Sequence, residues 1–352
     1  MPNRVLVLRV DANAAISAGH SKRCLAIARE WRRRGGRCLF VCADQGTVPF
    51  VDAEGFEHAV LGTDWKNLDE EIPLMSGVLA TYNQPLLLID TYQVTPTYVK
   101  ALAPLAVAGY LGTKRIPTDD LRFLINYSVA ADKADYKHAN AGCMLLMGPS
   151  YAPLREEFHV RSESSRDGKF KSILLTTGNT DAPGMVPALI EELAPRLASA
   201  GILLKVVVGP MFVRRDLLLE KWFRHPVVEL LDGVSDMAAL MRSCDLAISA
   251  CGTTLYELAA CGVPTVGFSL VPEQDAGGET EVLNRLGVIE YAGRAYEDRR
   301  MCVAAVCNAV ARLMDDAPRR ALLAHMFHAL VDGRGCARIC DELERLEGDY
   351  AR

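Results

Sequence analysis

The chain has 352 residues, half of them hydrophobic and 24% charged, the balance of a folded globular protein long enough for two domains of ordinary size. A formal net charge of -5 offers no broad basic surface, so nucleic acid is not an expected partner and an anionic ligand has to be held locally. The opening MPNRVLVLRVDAN has neither an apolar leader core nor a small-residue cleavage site, and the longest apolar region, Leu246 to Val271, is broken by Thr253, Thr254, Glu257 and Pro264. A cytoplasmic protein without stable membrane association is expected. The eleven cysteines are scattered, with no CxxC pair and no zinc spacing, and read as reduced packing thiols.

Short runs rich in Val, Leu and Ile alternate with longer stretches of helical period. The first set is RVLVLRV with a helix to Arg34, then RCLFVCA, PLLLIDTY, LAVAGYL and FLINYS. A polar stretch from Glu156 to Lys171 reads as a linker. The second set is SILLTTG, a helix from Met185 to Ala200, ILLKVVVG, VVELLDG, a helix to Cys244, DLAISACG, a helix to Cys261, and PTVGFSL. Tyr296 to Leu346 predicts two or three helices. The expected architecture is α/β, with two doubly wound Rossmann-like domains facing a cleft, residues 1–160 and 161–352, and a helical C-terminal end.

In such sheets ligands bind beyond the carboxyl ends of the strands, where helix N-termini face them. The segment RVDANAAISAGHSKRC runs from the first strand into a helix beginning near Gly19 and His20. The positive end of a helix disfavours a protonated imidazole, which suits His20 to act as a base; Asp11 is placed to orient the ring, and Gly19 permits close approach of a ligand. A plain helix turn with an incidental surface histidine fits the same residues. The other histidines, His58, His138, His159, His225, His325 and His328, have no shared spacing and read as surface or packing residues. Arg32 to Arg34 complement a helix C-terminus.

The segment DLAISACGTTLYELAACGVPTVGF ends a strand at Ser249 to Gly252 and starts a helix with Thr253 and Thr254, an arrangement able to bind an anion through backbone N–H groups. Glu257, one turn on, could take both hydroxyls of a ribose; a capped helix with a solvated glutamate is the bland alternative. In TTGNTDAPG, residues Gly178, Asn179 and Asp181 could reach base, phosphate or sugar, or simply form a turn. In GPSYAPLREEF, Tyr151 could pack on a sugar face and Arg155 could balance phosphate charge, though a hinge with a structural ion pair explains them equally. IDTYQV, with Asp90 and Tyr92 at a strand end, poses the same alternative.

Taken together, RVDANAAISAGHSKRC, IDTY, GPSYAPLREEF, ISACGTTLYELAACGVPT and DGRGCARI resemble, in order, the UDP-sugar hydrolases of the pseudaminic acid pathway, which act on a UDP-linked 2,4-diacetamido-2,4,6-trideoxy-β-L-altropyranose. The resemblance implies a glycosyltransferase-B-like fold, no metal and no redox cofactor. It places the active-site histidine on His20 and the nucleotide-binding turn on Ser249 to Thr254 with Glu257. Arg9, Arg23 and Tyr92 join the expected substrate contacts. The family's Gly-Gly-x-Asp loop is here Thr177 to Asp181, and its Asn-Gln pair is Glu273-Gln274. The expected activity is hydrolysis of a UDP-sugar at the anomeric carbon. A glycosyltransferase, or a non-catalytic sugar-nucleotide-binding subunit, remains the alternative.

Overall fold

The computed structural model describes residues 5–13, 19–137, 142–159 and 169–350. His138, most of the expected linker and the small-residue loop 14–18 lie outside these residues. The chain forms two compact units, residues 1–155 with 334–352, and residues 156–333.

The first unit is built on a seven-stranded sheet: β1 (Val5–Val10), β2 (Arg37–Cys42), β3 (Glu57–Val60), β4 (Leu86–Asp90), β5 (Val107–Leu111), β6 (Phe123–Asn126) and β7 (Met144–Met147). Every pairing is parallel, in the order β3-β2-β1-β4-β5-β6-β7. The central strands β1, β4, β5 and β6 are buried along their whole length, which is why they read as unbroken apolar runs, while edge strand β3 alternates less cleanly and is half exposed. Side chains alternate across the sheet: Leu6, Leu8 and Val10 pack on one face with Cys24, Ile27 and Trp31 of the helix Gly19–Arg33. Val5 and Val7 face the other core with Met75, Tyr98 and Leu102.

The second unit carries β8 (Ser172–Thr176), β9 (Leu203–Val208), β10 (Val228–Asp232), β11 (Leu246–Ala250), β12 (Thr265–Ser269) and β13 (Glu290–Arg294), again all parallel, in the order β10-β9-β8-β11-β12-β13. The helix Met185–Ala200 forms as expected and ends on Gly201, whose φ of +64° supplies the left-handed cap.

The helical end consists of Arg299–Asp315, Ala317–Leu330 and Gly335–Tyr350. Sequence order assigned all three to the second half; the structure corrects this for the last. Cys336, Ile339, Cys340 and Leu343 form one apolar stripe buried in the same core as Leu25, Ile27 and Ala28 of the first unit. Arg34 Nη1 bonds Asp341 Oδ1 at 2.7 Å beside it. The helix Gly19–Arg33 is thus packed against β1, β2, Val51 and this last helix.

Each sheet reverses its strand order once, at β1/β4 and at β8/β11. At such a point adjacent loops leave in opposite directions and open a crevice. The His20, Asp90, Gly178 and Ser249 motifs fall at these two places, whereas GPSYAPLREEF follows edge strand β7 and DGRGCARI leads into the last helix.

Candidate active site

At the first switch point His20, on the opening turn of the helix Gly19–Arg33, meets Asp90, the last residue of β4. His20 Nδ1 lies 2.6 Å from Asp90 Oδ1. Arg23, one turn along the same helix, grips Asp90 with both arms of its guanidinium: Nε to Oδ2 at 2.6 Å, and Nη2 to Oδ1. Its Nη1 donates to the Tyr127 hydroxyl at 3.1 Å. Burial alone would raise the Asp90 carboxyl, but the charge and hydrogen bonds of Arg23, together with the His20 contact, bring it down to about 2. An ionised Asp90 only accepts, so the short contact to His20 requires the hydrogen on Nδ1 and leaves the lone pair on Nε2. Arg23 Nη2 also stands 3.0 Å from Nδ1, but it is satisfied by the carboxylate.

The contact with His20 expected of Asp11 is made instead by Asp90. Asp11 turns the other way: its Oδ2 accepts from Arg9 Nη1 at 2.6 Å and its Oδ1 from the Ala43 N–H at 2.7 Å. Burial raises its carboxyl, with Arg9 opposing. Arg9 is fully buried, and its Nε and Nη2 form a fork on Glu71 at 2.6 and 2.8 Å. Glu71 also accepts from the Tyr98 hydroxyl at 2.7 Å and from Thr63 Oγ1 at 3.2 Å. With every arm engaged by protein, Arg9 is an internal tie rather than a substrate contact.

Tyr92, 55% exposed, stands edge-on to the His20 ring at 4.9 Å between centroids. His20, Asp90, Thr91, Tyr92, Gln93 and Trp65 line a shallow depression. Gly19 starts the helix at the surface beside it. Tyr151 is not among these residues; it packs against the core beneath the terminal helix. Arg155 closes the first segment of this unit. Sequence reasoning noted Asp90 without committing to it and missed Trp65, Thr91, Gln93 and Glu71. Asp90 had a signal, as the lone carboxylate ending an apolar strand, whereas nothing local marks Glu71.

At the second switch point Thr176 of β8 pairs with Ser249 of β11, so the loops that follow start side by side. Ser249 is buried and its hydroxyl donates to the Ala250 carbonyl at 3.0 Å. Gly252 follows, then Thr253, exposed, and Thr254, which opens the seven-residue helix Thr254–Ala260. Glu257 lies half-buried on that helix. Gln274 accepts from the Leu270 N–H at 2.7 Å through Oε1, which sends its Nε2 toward Gly252, 3.7 Å from where a β-carbon there would sit. Glu273 is exposed at the start of the short helix Glu273–Ala276. The next residue, Asp275, anchors this turn through Ser269 Oγ at 2.8 Å, the Tyr296 hydroxyl at 2.9 Å and Arg294 Nε at 3.3 Å.

In the β8 loop Gly178 takes a φ of +78°, and the Asn179 carbonyl accepts from the Met211 N–H at 3.0 Å. Asp181 is buried and accepts from the Met185 and Val186 N–H groups, each at 2.9 Å. It satisfies the first N–H groups of the helix Met185–Ala200, so both its oxygens are engaged by the protein. Thr177 differs: its hydroxyl is buried with no hydrogen-bond partner among the described residues. Among those residues no group of three or more His, Cys, Asp or Glu is placed to hold a metal ion, and no helix is long and apolar enough to cross a membrane.

Two Rossmann-like domains and a helical end define a fold of the glycosyltransferase-B type. Solved structures of that kind cover nearly the whole chain. MurG of Acinetobacter baumannii matches with a TM-score of 0.65 at 13% identity, over 98% of this chain and 100% of that one. The UDP-GlcNAc 2-epimerase of Neisseria meningitidis bound to UDP-GlcNAc gives 0.67 at 9% identity, over 97% and 100%. Anabaena HepE in complex with UDP-glucose gives 0.59 at 15%, over 97% and 99%. No known family profile matches the chain. In sequence it is similar to an uncharacterised protein of Methanocaldococcus jannaschii, 23% identical over 74% of this chain and 54% of that protein. It is also similar to the spore coat polysaccharide biosynthesis protein SpsG of Bacillus subtilis, 24% identical over 57% of this chain and 56% of that protein. The chain thus spans about half the length of these curated relatives.

Proposed function

We propose that the protein hydrolyses a UDP-linked sugar at the anomeric carbon, in the biosynthesis of a surface polysaccharide or nonulosonic acid, with the first unit carrying the chemistry and the second holding UDP. The observation that carries the reading is the His20–Asp90 pair, which leaves one basic nitrogen facing an open depression. Cleaving an ordinary glycoside requires a second carboxyl group to protonate a poor alkoxide leaving group. The carboxylates nearest His20 are already engaged, Asp90 by Arg23 and His20, and Asp11 by Arg9. A diphosphate leaves without protonation, so a single base suffices for a sugar nucleotide.

The step follows from this inventory. His20 Nε2 accepts a proton from water as the water oxygen bonds to C1. The bond from C1 to the UDP oxygen breaks, and its electron pair leaves with UDP. The imidazolium so formed is stabilised by Asp90 and returns its proton to solvent. In the second unit the Gly252 turn, the unpartnered Thr177 hydroxyl and Glu257 supply donors and an acceptor suited to diphosphate and ribose. Solved neighbours whose own ligands are UDP-GlcNAc and UDP-glucose support a sugar nucleotide as the substrate class. The pseudaminic-pathway sugar stays the expected substrate on the motifs, with Glu273 in place of the family's Asn.

Incubating the purified protein with UDP-sugars alone tests the reading. UDP and free sugar should appear, and His20→Asn should lower kcat by roughly 10²–10⁴-fold with little change in KM. Release only when an alcohol acceptor is added would instead make the protein a glycosyltransferase, and full turnover by His20→Asn would remove the histidine from the mechanism.

A further inference from the structure

The depression at His20 has a composition that the mechanism leaves unexplained. Two of its six lining residues are aromatic, Trp65 and Tyr92; Thr91 and Gln93 are neutral and polar; and its one carboxylate, Asp90, is engaged by His20 and Arg23. No cation lines it. A depression with two aromatic walls and neutral polar groups between them suits a pyranose, whose C–H faces pack on aromatic rings while its hydroxyl or amide substituents bond to Thr91 and Gln93.

We infer that Trp65 is a sugar-stacking, specificity-determining residue, held beside His20 by the buried Arg9–Glu71 pair. Trp65 sits on the loop between β3 and Glu71. Gly62 and Thr63 fix the start of that loop through the Ala43 carbonyl, at 2.9 and 3.1 Å. Asp64 shapes its turn, accepting from the Lys66 N–H at 3.0 Å through Oδ1 and from the Asn67 N–H at 2.9 Å through its carbonyl. Glu71 closes the far end on Arg9 and reaches back to Thr63 Oγ1 at 3.2 Å. The loop is thus tied at its start to Ala43, just past β2, and at its far end to Arg9 of β1. A charged network buried that deeply is costly to build and is retained where it fixes geometry. Here the element it fixes is the tryptophan wall.

The inference rests on the sugar-nucleotide reading but not on hydrolysis, so its test uses binding. Calorimetric titrations of the full chain with UDP, UDP-N-acetylglucosamine and UDP-glucose separate the nucleotide from the sugar contribution. At least one UDP-sugar should bind wild type more tightly than UDP does. Trp65→Leu should lose roughly three- to tenfold of that advantage with the UDP affinity unchanged, and Trp65→Phe should keep most of it. Trp65 emission should move with the UDP-sugar and not with UDP, a change that vanishes in Trp65→Phe. A sugar advantage that survives Trp65→Leu, or a UDP affinity that falls with it, overturns the assignment, as does the absence of any sugar advantage in wild type. A protein that binds UDP-sugars through Trp65 without cleaving them refutes the hydrolase reading and leaves the stacking role standing.

Discussion

Asp90 serves three partners, one oxygen shared by His20 and Arg23 and the other by Arg23 Nε and the Cys24 thiol at 3.3 Å. Asp90→Asn removes the charge that fixes the imidazole tautomer and leaves Arg23 without its buried counter-ion. Its expected effect on UDP-sugar turnover is a fall in kcat of roughly 10²-fold or more, read in a steady-state assay against an unchanged UDP affinity. The same carboxylate sets an acid limit. Its folded pKa is depressed to about 2, so its stabilisation is present above the ordinary carboxylate range, near about 4, and is lost as pH falls through about 2. The amount is about 2 kcal/mol. Thermal melts from pH 5 to 2 should show the advantage of wild type over Asp90→Asn shrinking across that window; a constant difference would contradict it. Glu71→Gln, which leaves Arg9 short of one counter-charge in the core, should cost about 3–5 kcal/mol in denaturant unfolding.

The helix Met185–Ala200 and its leading loop separate capping from binding. Asp181→Ala should destabilise by about 1 kcal/mol, the usual worth of a cap, with KM for UDP-sugars unchanged; a raised KM would return Asp181 to the ligand. Gly209 lies under the same loop, where a β-carbon would come within 2.4 and 2.5 Å of the Gly178 and Asn179 carbonyl oxygens. Gly209→Ala must therefore push the loop, and Thr177 with it, and should weaken UDP binding as well as stability. The central strands were legible as unbroken apolar runs because both their faces are covered, and His20 was legible from its place after the first strand. That Asp90 and not Asp11 meets His20 is settled between elements: β1 and β4 are neighbours, with Val10 opposite Asp90, yet 80 residues apart in sequence. Two carboxylates thus end adjacent strands, and only the sheet shows which faces the helix. Tyr151 misled because an aromatic beside a turn looks alike whether it faces a ligand or a core.

The terminal helix was legible as an amphipathic stripe, Cys336-Ile339-Cys340-Leu343, but its partner was not, since any exposed apolar face would satisfy that pattern. The crossing back to the first unit is tight: a β-carbon on Gly335 would stand 2.0 Å from the Ala152 carbonyl oxygen. Gly335→Ala should loosen the docking of this helix, and removing residues 334–352 should expose the core around Ile27 and Trp31. Hydrogen exchange should then accelerate in the helix Gly19–Arg33 and not in β8 to β12; equal loosening of both units would contradict the division.

That return also sets an order of events during synthesis. Domains emerging from the ribosome generally fold in sequence order, the N-terminal one first. Here the second unit is contiguous, residues 156–333, and has every strand it needs before the first unit receives its last helix. The sheet that holds His20 must wait through the translation of a complete neighbour with one apolar face of its first helix uncovered. Nascent chains stalled after residue 333 should therefore protect β8 to β12 from protease while the helix Gly19–Arg33 remains cleavable, and the first unit should become resistant only once the last nineteen residues are free.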